Sequence, residues 1–274
     1  MNQESLDPRQ IPATVGINID FESIDAASSG HAGLFGRYSY GRYGLREGVN
    51  RLLHALAEVN VKATFYAPVS DLARQSELIS GILDAGHEIA VRGRVDKAAS
   101  ADEQINALGE ERAAMSRLIG RSARGWRSVD GIVNRHTLPT LARLGYSYDS
   151  SFCDDDLPYL MADGSGSKLV ELPTLDYLTD APFYAQRHTH ARASKAWHEE
   201  AEAQYCARAL VHLTLHTRGD IGSSRLPRVQ MVAQFLRWLQ RKPGIRMYRG
   251  CDLADEVLRG AAAEPFPDAP APQI

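Results

Sequence analysis

The sequence predicts an α/β fold in which a parallel sheet, covered on its outside by helices, closes or nearly closes into a barrel. Three observations carry that expectation. Short β-branched, apolar runs recur along the chain, amphipathic segments separate them, and 274 residues is an ordinary length for one barrel domain.

The elements follow in order. A polar leader, 1–12, precedes Ala13-Thr14-Val15-Gly16-Ile17-Asn18-Ile19, a run short and apolar enough for a buried strand, which exits at Asp20-Phe21-Glu22. A loop rich in Gly, Ser and Tyr, 24–44, comes next and is open between a lid and a subunit contact. Val49, Leu52, Leu53 and Leu56 then share one helical stripe. Residues 62–68 read as the second strand, 78–83 as a helix, 87–91 as the third strand and 101–118 as a long helix. Further strands are expected at 125–128 and 146–150 around a helix at 138–144, and then at 169–172 and 210–215. The barrel domain is expected to span 13–259. From Gly260 the Ala- and Pro-rich tail, 260–274, has little to bury and is expected to be disordered or laid over the surface.

Composition narrows the function. A formal net charge of -3 supplies no basic field for a nucleic-acid backbone or an anionic membrane, so a small-molecule substrate is the expected partner. Cys153, Cys206 and Cys251 lie far apart with no C-x-x-C pair, which suits a reducing cytosol, and all three read as packing residues. No stretch has the apolar length of a signal peptide core or a membrane span, so a cytoplasmic protein is expected, with a homo-oligomer left open.

Polar residues gather at the strand exits, where barrels of this kind assemble their chemistry. Asp20 and Glu22 follow the first strand, Arg92 and Asp96 the third, Arg127 the fourth, Asp149 the fifth and His216 the last. Each has a plainer reading. Asp20 or Glu22 could cap a helix, Arg127 and Asp149 could form a structural ion pair, and His216 could be a core histidine. His87 and His212 alternate with strand residues as packing groups do, and His188-Thr189-His190 sits in a polar segment that reads as solvated.

Taken together, these residues resemble the polysaccharide deacetylase family, or NodB homology domain, from about Thr14 to about Leu258. The resemblance rests on Asp20-Phe21-Glu22, Arg42-Tyr43-Gly44-Leu45-Arg46-Glu47-Gly48-Val49, Lys62-Ala63-Thr64-Phe65-Tyr66 and Gly86-His87-Glu88-Ile89-Ala90. It continues through Gly125-Trp126-Arg127-Ser128, Tyr148-Asp149-Ser150-Ser151, Asp154-Asp155-Asp156-Leu157-Pro158-Tyr159, Glu171-Leu172-Pro173 and Leu213-Thr214-Leu215-His216. The long Tyr and Gly segment and the Asp-Asp-Leu-Pro-Tyr run are similar to the branch of metal-independent allantoinases and related cytoplasmic deacetylases. The resemblance implies a NodB-type barrel with Asp20 as catalytic base, His216 as catalytic acid, Arg127 orienting the base and Asp149 in the motif that pairs with Arg127. It also puts Glu22 at the family's metal-binding Asp, and Arg92 and Asp96 where the family has two metal-binding histidines. Trp126 is a substrate-side candidate by the same likeness.

Guanidinium has no lone pair to offer a metal, so Arg92 removes a ligand. Glu22, Arg92 and Asp96 sum to one negative charge, and the expectation is a salt-bridged triad in which Arg92 replaces the ion, with no metal and no cofactor. A side-chain oxyanion donor worth ~3 kcal/mol suits an activated carbonyl better than a plain acetamide. The leading expectation is therefore metal-independent hydrolysis of a C–N bond in an amide, cyclic imide or ureide by Asp and His. The alternatives are a lyase, isomerase or cyclase using the same groups, and a catalytically silent carbohydrate- or metabolite-binding protein.

Overall fold

β1, Ile11–Asn18, is buried at all eight positions. A strand covered on both faces needs apolar side chains in both directions, which is why its sequence reads as a continuous run. The computed structural model describes residues 9–21, 23, 40–96 and 100–267. The other strands are β2 (Thr64–Ala67), β3 (Glu88–Gly93), β4 (Gly125–Ser128), β5 (Tyr148–Asp149), β6 (Tyr159–Ala162), β7 (Lys168–Glu171), β8 (Val211–His216), β9 (Ile245–Tyr248) and β10 (Ala263–Pro265). Among the described residues they form one sheet of ten strands in the order β10-β6-β7-β5-β4-β3-β2-β1-β8, with β9 beside the start of β1. Among the described residues every strand pairing is parallel except the β6–β7 hairpin. The free side of β8 takes a parallel bridge between Thr214 and Thr179.

Helices cover the outer face. Those at Val49–Glu58, Ser76–Asp84, Ala101–Ile119, Thr137–Arg143, His190–Ala207 and Leu226–Gln240 bury their apolar stripes against it. Ser100 opens the longest of them with a reciprocal Ser–Glu103 capping box, and Gly120 closes it in the left-handed conformation. A separate inner cluster, including Tyr66, Ala90, Tyr148, Val170, Leu172 and Tyr248, fills the concave side.

The structure refines several sequence expectations. Ile11 and Pro12, assigned to the leader, already pair with β9, and Ala263–Pro265 of the tail adds a strand beside β6. The expected helix near Val49 begins earlier, as a short helix at Tyr40–Tyr43 and a π-helical turn at Gly44–Gly48. Most of the 24–44 loop lies outside the described residues. The His188-Thr189-His190 tract is a helix start, in which the Thr189 hydroxyl accepts the Arg192 amide. Of the three cysteines, Cys251 is buried and packs, whereas Cys153 and Cys206 are exposed free thiols, because each lies on a loop or outer helix face rather than in a strand.

Two glycines report on packing in opposite ways. A Cβ on Gly125 would meet the ring of Tyr148, which is fully buried and has no room to move. Gly125→Ala should cost roughly 1–3 kcal/mol, read as a lower urea midpoint with an unchanged slope. Gly81, inside the Ser76–Asp84 helix, has nothing within 4 Å of its added Cβ. Gly81→Ala should instead raise stability by about 0.4–1 kcal/mol in the same assay.

Candidate active site

Parallel register sets the site. Asn18 of β1 lies level with His216 of β8, and Arg92 of β3 lies level with Arg127 of β4. Alternate residues of a strand share a face, so Gly16 and Asn18 on β1, and His212, Thr214 and His216 on β8, all point to the concave side. Asp20 follows β1 just past its end, buried, with its backbone N–H donated to the Thr217 hydroxyl at 3.3 Å.

At the bottom of this constellation sits Arg127. Its Nε donates to the Ser150 carbonyl at 2.9 Å and its Nη2 to the Ser150 hydroxyl at 2.7 Å. Nη1 donates to Asn18 Oδ1 at 3.2 Å, Nη2 also reaches His212 Nε2 at 2.9 Å, and the guanidinium stacks 3.8 Å over the Tyr66 ring. Space for it comes from Gly16, whose added Cβ would fall 2.9 Å from Arg127 Nη1. His212 accepts from Arg127 at Nε2 and therefore donates its Nδ1–H to the Pro173 carbonyl at 3.0 Å. Burial and the Arg127 charge hold it neutral, well below the ordinary histidine range.

The working groups lie one layer above. Arg92 pairs directly with Asp20 Oδ1 and donates Nη2 to the Val129 carbonyl at 3.2 Å. Burial, with the positive charges of Arg127, Arg218 and Arg94 around it, pulls Arg92 down to about 9, which leaves it cationic at neutral pH. The other oxygen of Asp20 faces His216 Nε2 at 3.9 Å. Behind His216 stands Asp180, fully buried, which takes the His216 Nδ1–H at 2.6 Å and the His216 backbone N–H at 3.0 Å. Asp180 and Asn18 were not among the sequence candidates. The only signal for Asp180 was its place in the first turn of a short helix, Asp180–Ala185, and nothing local tied it to a histidine 36 residues on.

Other candidates fall elsewhere. Trp126 precedes the inward Arg127 on β4 and so points outward, where it is completely buried and donates Nε1–H to Glu111 of the Ala101–Ile119 helix at 3.1 Å. It does not reach the cleft. Burial pushes that Glu111 up to about 7 despite the bond. Asp149 is level with Trp126 and shares its outer face, so its partner is Glu171 across the β5–β7 ladder rather than Arg127; the adjacent Ser150 takes Arg127 instead. Arg92 meets Asp20, not the expected bridge to Asp96, which is exposed on the loop after β3; Glu22 lies outside the described residues.

With this geometry in place, the comparisons are specific. The family model described as polysaccharide deacetylase matches residues 39–148. Residues 39–148 are thus similar to a polysaccharide deacetylase family domain. It is 23% identical to the peptidoglycan deacetylase of Helicobacter pylori (strain ATCC 700392 / 26695), over 92% of this chain and 97% of that protein. A solved structure from Mycobacterium smegmatis, provisionally assigned to the polysaccharide deacetylases, superposes with a TM-score of 0.85 at 28% identity, covering 96% of each chain. The Puue allantoinase structure superposes with a TM-score of 0.74 at 20% identity, over 92% of this chain and 91% of that one, and shares the fold. The chain thus shares the distorted (β/α) barrel of the NodB type with these structures.

The metal that the family resemblance implies does not suit the described donors. A cation at the first histidine's position would meet the Arg92 guanidinium, which is charged and has no lone pair. Asp20 is already neutralised by Arg92, and among the described residues no three His, Cys, Asp or Glu side chains group so as to hold an ion.

Asp149 and Glu171 make a test of their own. Ser151 donates its hydroxyl to Asp149 at 2.8 Å, and the backbone N–H groups of Ser151 and Phe152 donate to Glu171, each at 3.0 Å. Burial raises Asp149 to about 6 and, together with the Asp149 charge, holds Glu171 well above the carboxylate range, so the pair keeps a proton at neutral pH. A carboxyl raised on folding binds more protons folded than unfolded, so its stability contribution is complete below about pH 4 and is lost as pH rises toward about 6. Asp149→Asn removes that loss. Its stability relative to wild type should increase steadily from pH 4 to pH 7 in urea titrations, and a pH-independent difference would exclude the shared proton.

Proposed function

We propose that the protein is a metal-independent hydrolase that cleaves a C–N bond of a small molecule, an amide, cyclic imide or ureide, in the cytoplasm. The observation that carries the reading is the Arg92–Asp20 contact at the place where the family resemblance puts a metal ligand, with His216 Nε2 facing the other Asp20 oxygen at 3.9 Å. A metal would polarise the carbonyl and supply hydroxide. In this chain Arg92 is the fixed positive charge at that point, and Asp20 and His216 are the groups able to move protons. Asp180 holds the imidazole in place from behind, as an orienting carboxylate does. The deacetylase and allantoinase neighbours support a hydrolase of C–N bonds. An activated ring or imide suits side-chain catalysis better than a polymer-bound acetamide. Among the described residues no helix is long and apolar enough to cross a membrane.

Screening purified protein against cyclic ureides, imides and N-acylated metabolites should reveal turnover that survives exhaustive chelation, with zinc well below one equivalent by elemental analysis. Activity that appears only on adding zinc would overturn metal independence. Asp20→Asn and His216→Ala should each lower kcat by about 10²–10⁴-fold while keeping the native near-ultraviolet dichroism at the assay temperature. Turnover retained in both variants would remove the site from the chemistry.

A further inference from the structure

We infer that Asn18 is a positioning residue that fixes the tautomer of His216, and that this makes His216 the group that takes the proton from water. The second half rests on the hydrolytic reading above; the first half stands on hydrogen-bond geometry alone. Arg127 Nη1 lies 3.2 Å from one terminal atom of the Asn18 amide. A guanidinium only donates, so that atom is the amide oxygen. The amide nitrogen then faces His216 Nε2 at 3.1 Å. An amide NH₂ also only donates, so Nε2 must present a lone pair. At the other side of the ring, Asp180 Oδ1 lies 2.6 Å from Nδ1 while Asp180 Oδ2 accepts the His216 backbone N–H, so Nδ1 carries the proton. The geometry therefore places the ring hydrogen on Nδ1 and the lone pair on Nε2, turned toward the Asp20 side.

The family resemblance implies the opposite division, with Asp20 as base and His216 as acid. Here the Asp20 Oδ1 is already engaged by Arg92, whereas the Nε2 lone pair of His216 is turned to the same side. Among the described residues the carboxylates facing the ring are Asp20 and Asp180. The cations act on it indirectly, Arg127 through Asn18 and Arg92 through Asp20. In the hydrolytic step, a water O–H replaces the long Asn18 bond at Nε2. Nε2 takes that proton as the water oxygen bonds to the carbonyl carbon, and the resulting oxyanion is countered by Arg92. The Nε2–H then passes to the leaving nitrogen as the C–N bond breaks, giving the acid and the amine with His216 neutral again. One histidine thus serves as base and then as acid, and Asn18 sets the starting state.

The test reads the ring directly. Long-range ¹H–¹⁵N correlation on ¹⁵N-histidine-labelled full-length protein at pH 7.5, with His216 assigned by its loss in His216→Gln, should show Nδ1 protonated and Nε2 bare. Asn18→Asp keeps an oxygen for Arg127 but turns a second oxygen toward Nε2, so it should convert His216 to the doubly protonated ring at the same pH. A wild-type ring protonated at Nε2 would overturn the inference without any variant, as would an unchanged ring in Asn18→Asp of native near-ultraviolet dichroism. Where turnover is found, Asn18→Asp should lower kcat by about 100-fold with KM little changed; unchanged kcat would overturn the assignment of His216 as base. Failure to find any hydrolysis would count against the proposed function while the tautomer measurement still decides the role of Asn18.

Discussion

A guanidinium buried in the concave core is the constraint that most of this site answers to. Removing a charge from water costs several kcal/mol unless its donors are satisfied. Among the described residues no carboxylate bonds to Arg127. Its donors go instead to the Ser150 carbonyl and hydroxyl, Asn18 and His212, and its flat face lies on Tyr66. Each acceptor is thereby told which atom to turn inward. His212 must stay neutral, Asn18 must point its oxygen down, and Gly16 must have no side chain at all.

The layer above inherits that order. Because Asn18 is pinned from below, its amide nitrogen addresses His216, and Asp180 holds the imidazole from the opposite side. Asp20 is fixed by a different cation, Arg92, which lies level with Arg127 on the adjoining strand. Two carboxylates close to one histidine consequently have distinct surroundings. Asp180 is buried behind the ring and orients it; Asp20 faces the cleft, ion-paired to Arg92. Two guanidiniums on neighbouring strands would repel one another if both were bare, and the Asp20 charge next to Arg92 relieves that repulsion. A variant that removes Asp20 thus disturbs Arg92 as well as the chemistry, which is why Asp20→Asn, retaining the shape and a hydrogen-bond acceptor, is the informative substitution.

Much of this was legible in order along the chain. The strand runs, the long helix from Ala101 with its Ser100 cap, and the convergence of Asp20, Arg92, Arg127 and His216 at strand exits all follow from local pattern and from the geometry of parallel sheets. Strand alternation, taken one residue further, also separates Arg127 from Trp126 and Ser150 from Asp149. The sequence motif groups these neighbours; the pleat sends them to opposite faces. Elements with weak patterns were harder to read. The hairpin strand β6 is four residues long, and the Ala- and Glu-rich stretch that forms the His190–Ala207 helix buries only Ala193, Trp197 and Ala201.

By itself the sequence determined the strand order of polar residues and the replacement of a histidine ligand by Arg92, because both depend on residue type and on spacing within a single strand. Only the tertiary structure decided the partners. Arg92 could have met Asp96 four residues away, yet it meets Asp20 across the sheet, and His216 finds its orienting carboxylate in Asp180 and its donor in Asn18. Pairing across 36, 72 or 198 residues is set by register and by which donors remain unsatisfied in the buried layer, and neither is written in any local stretch of the chain.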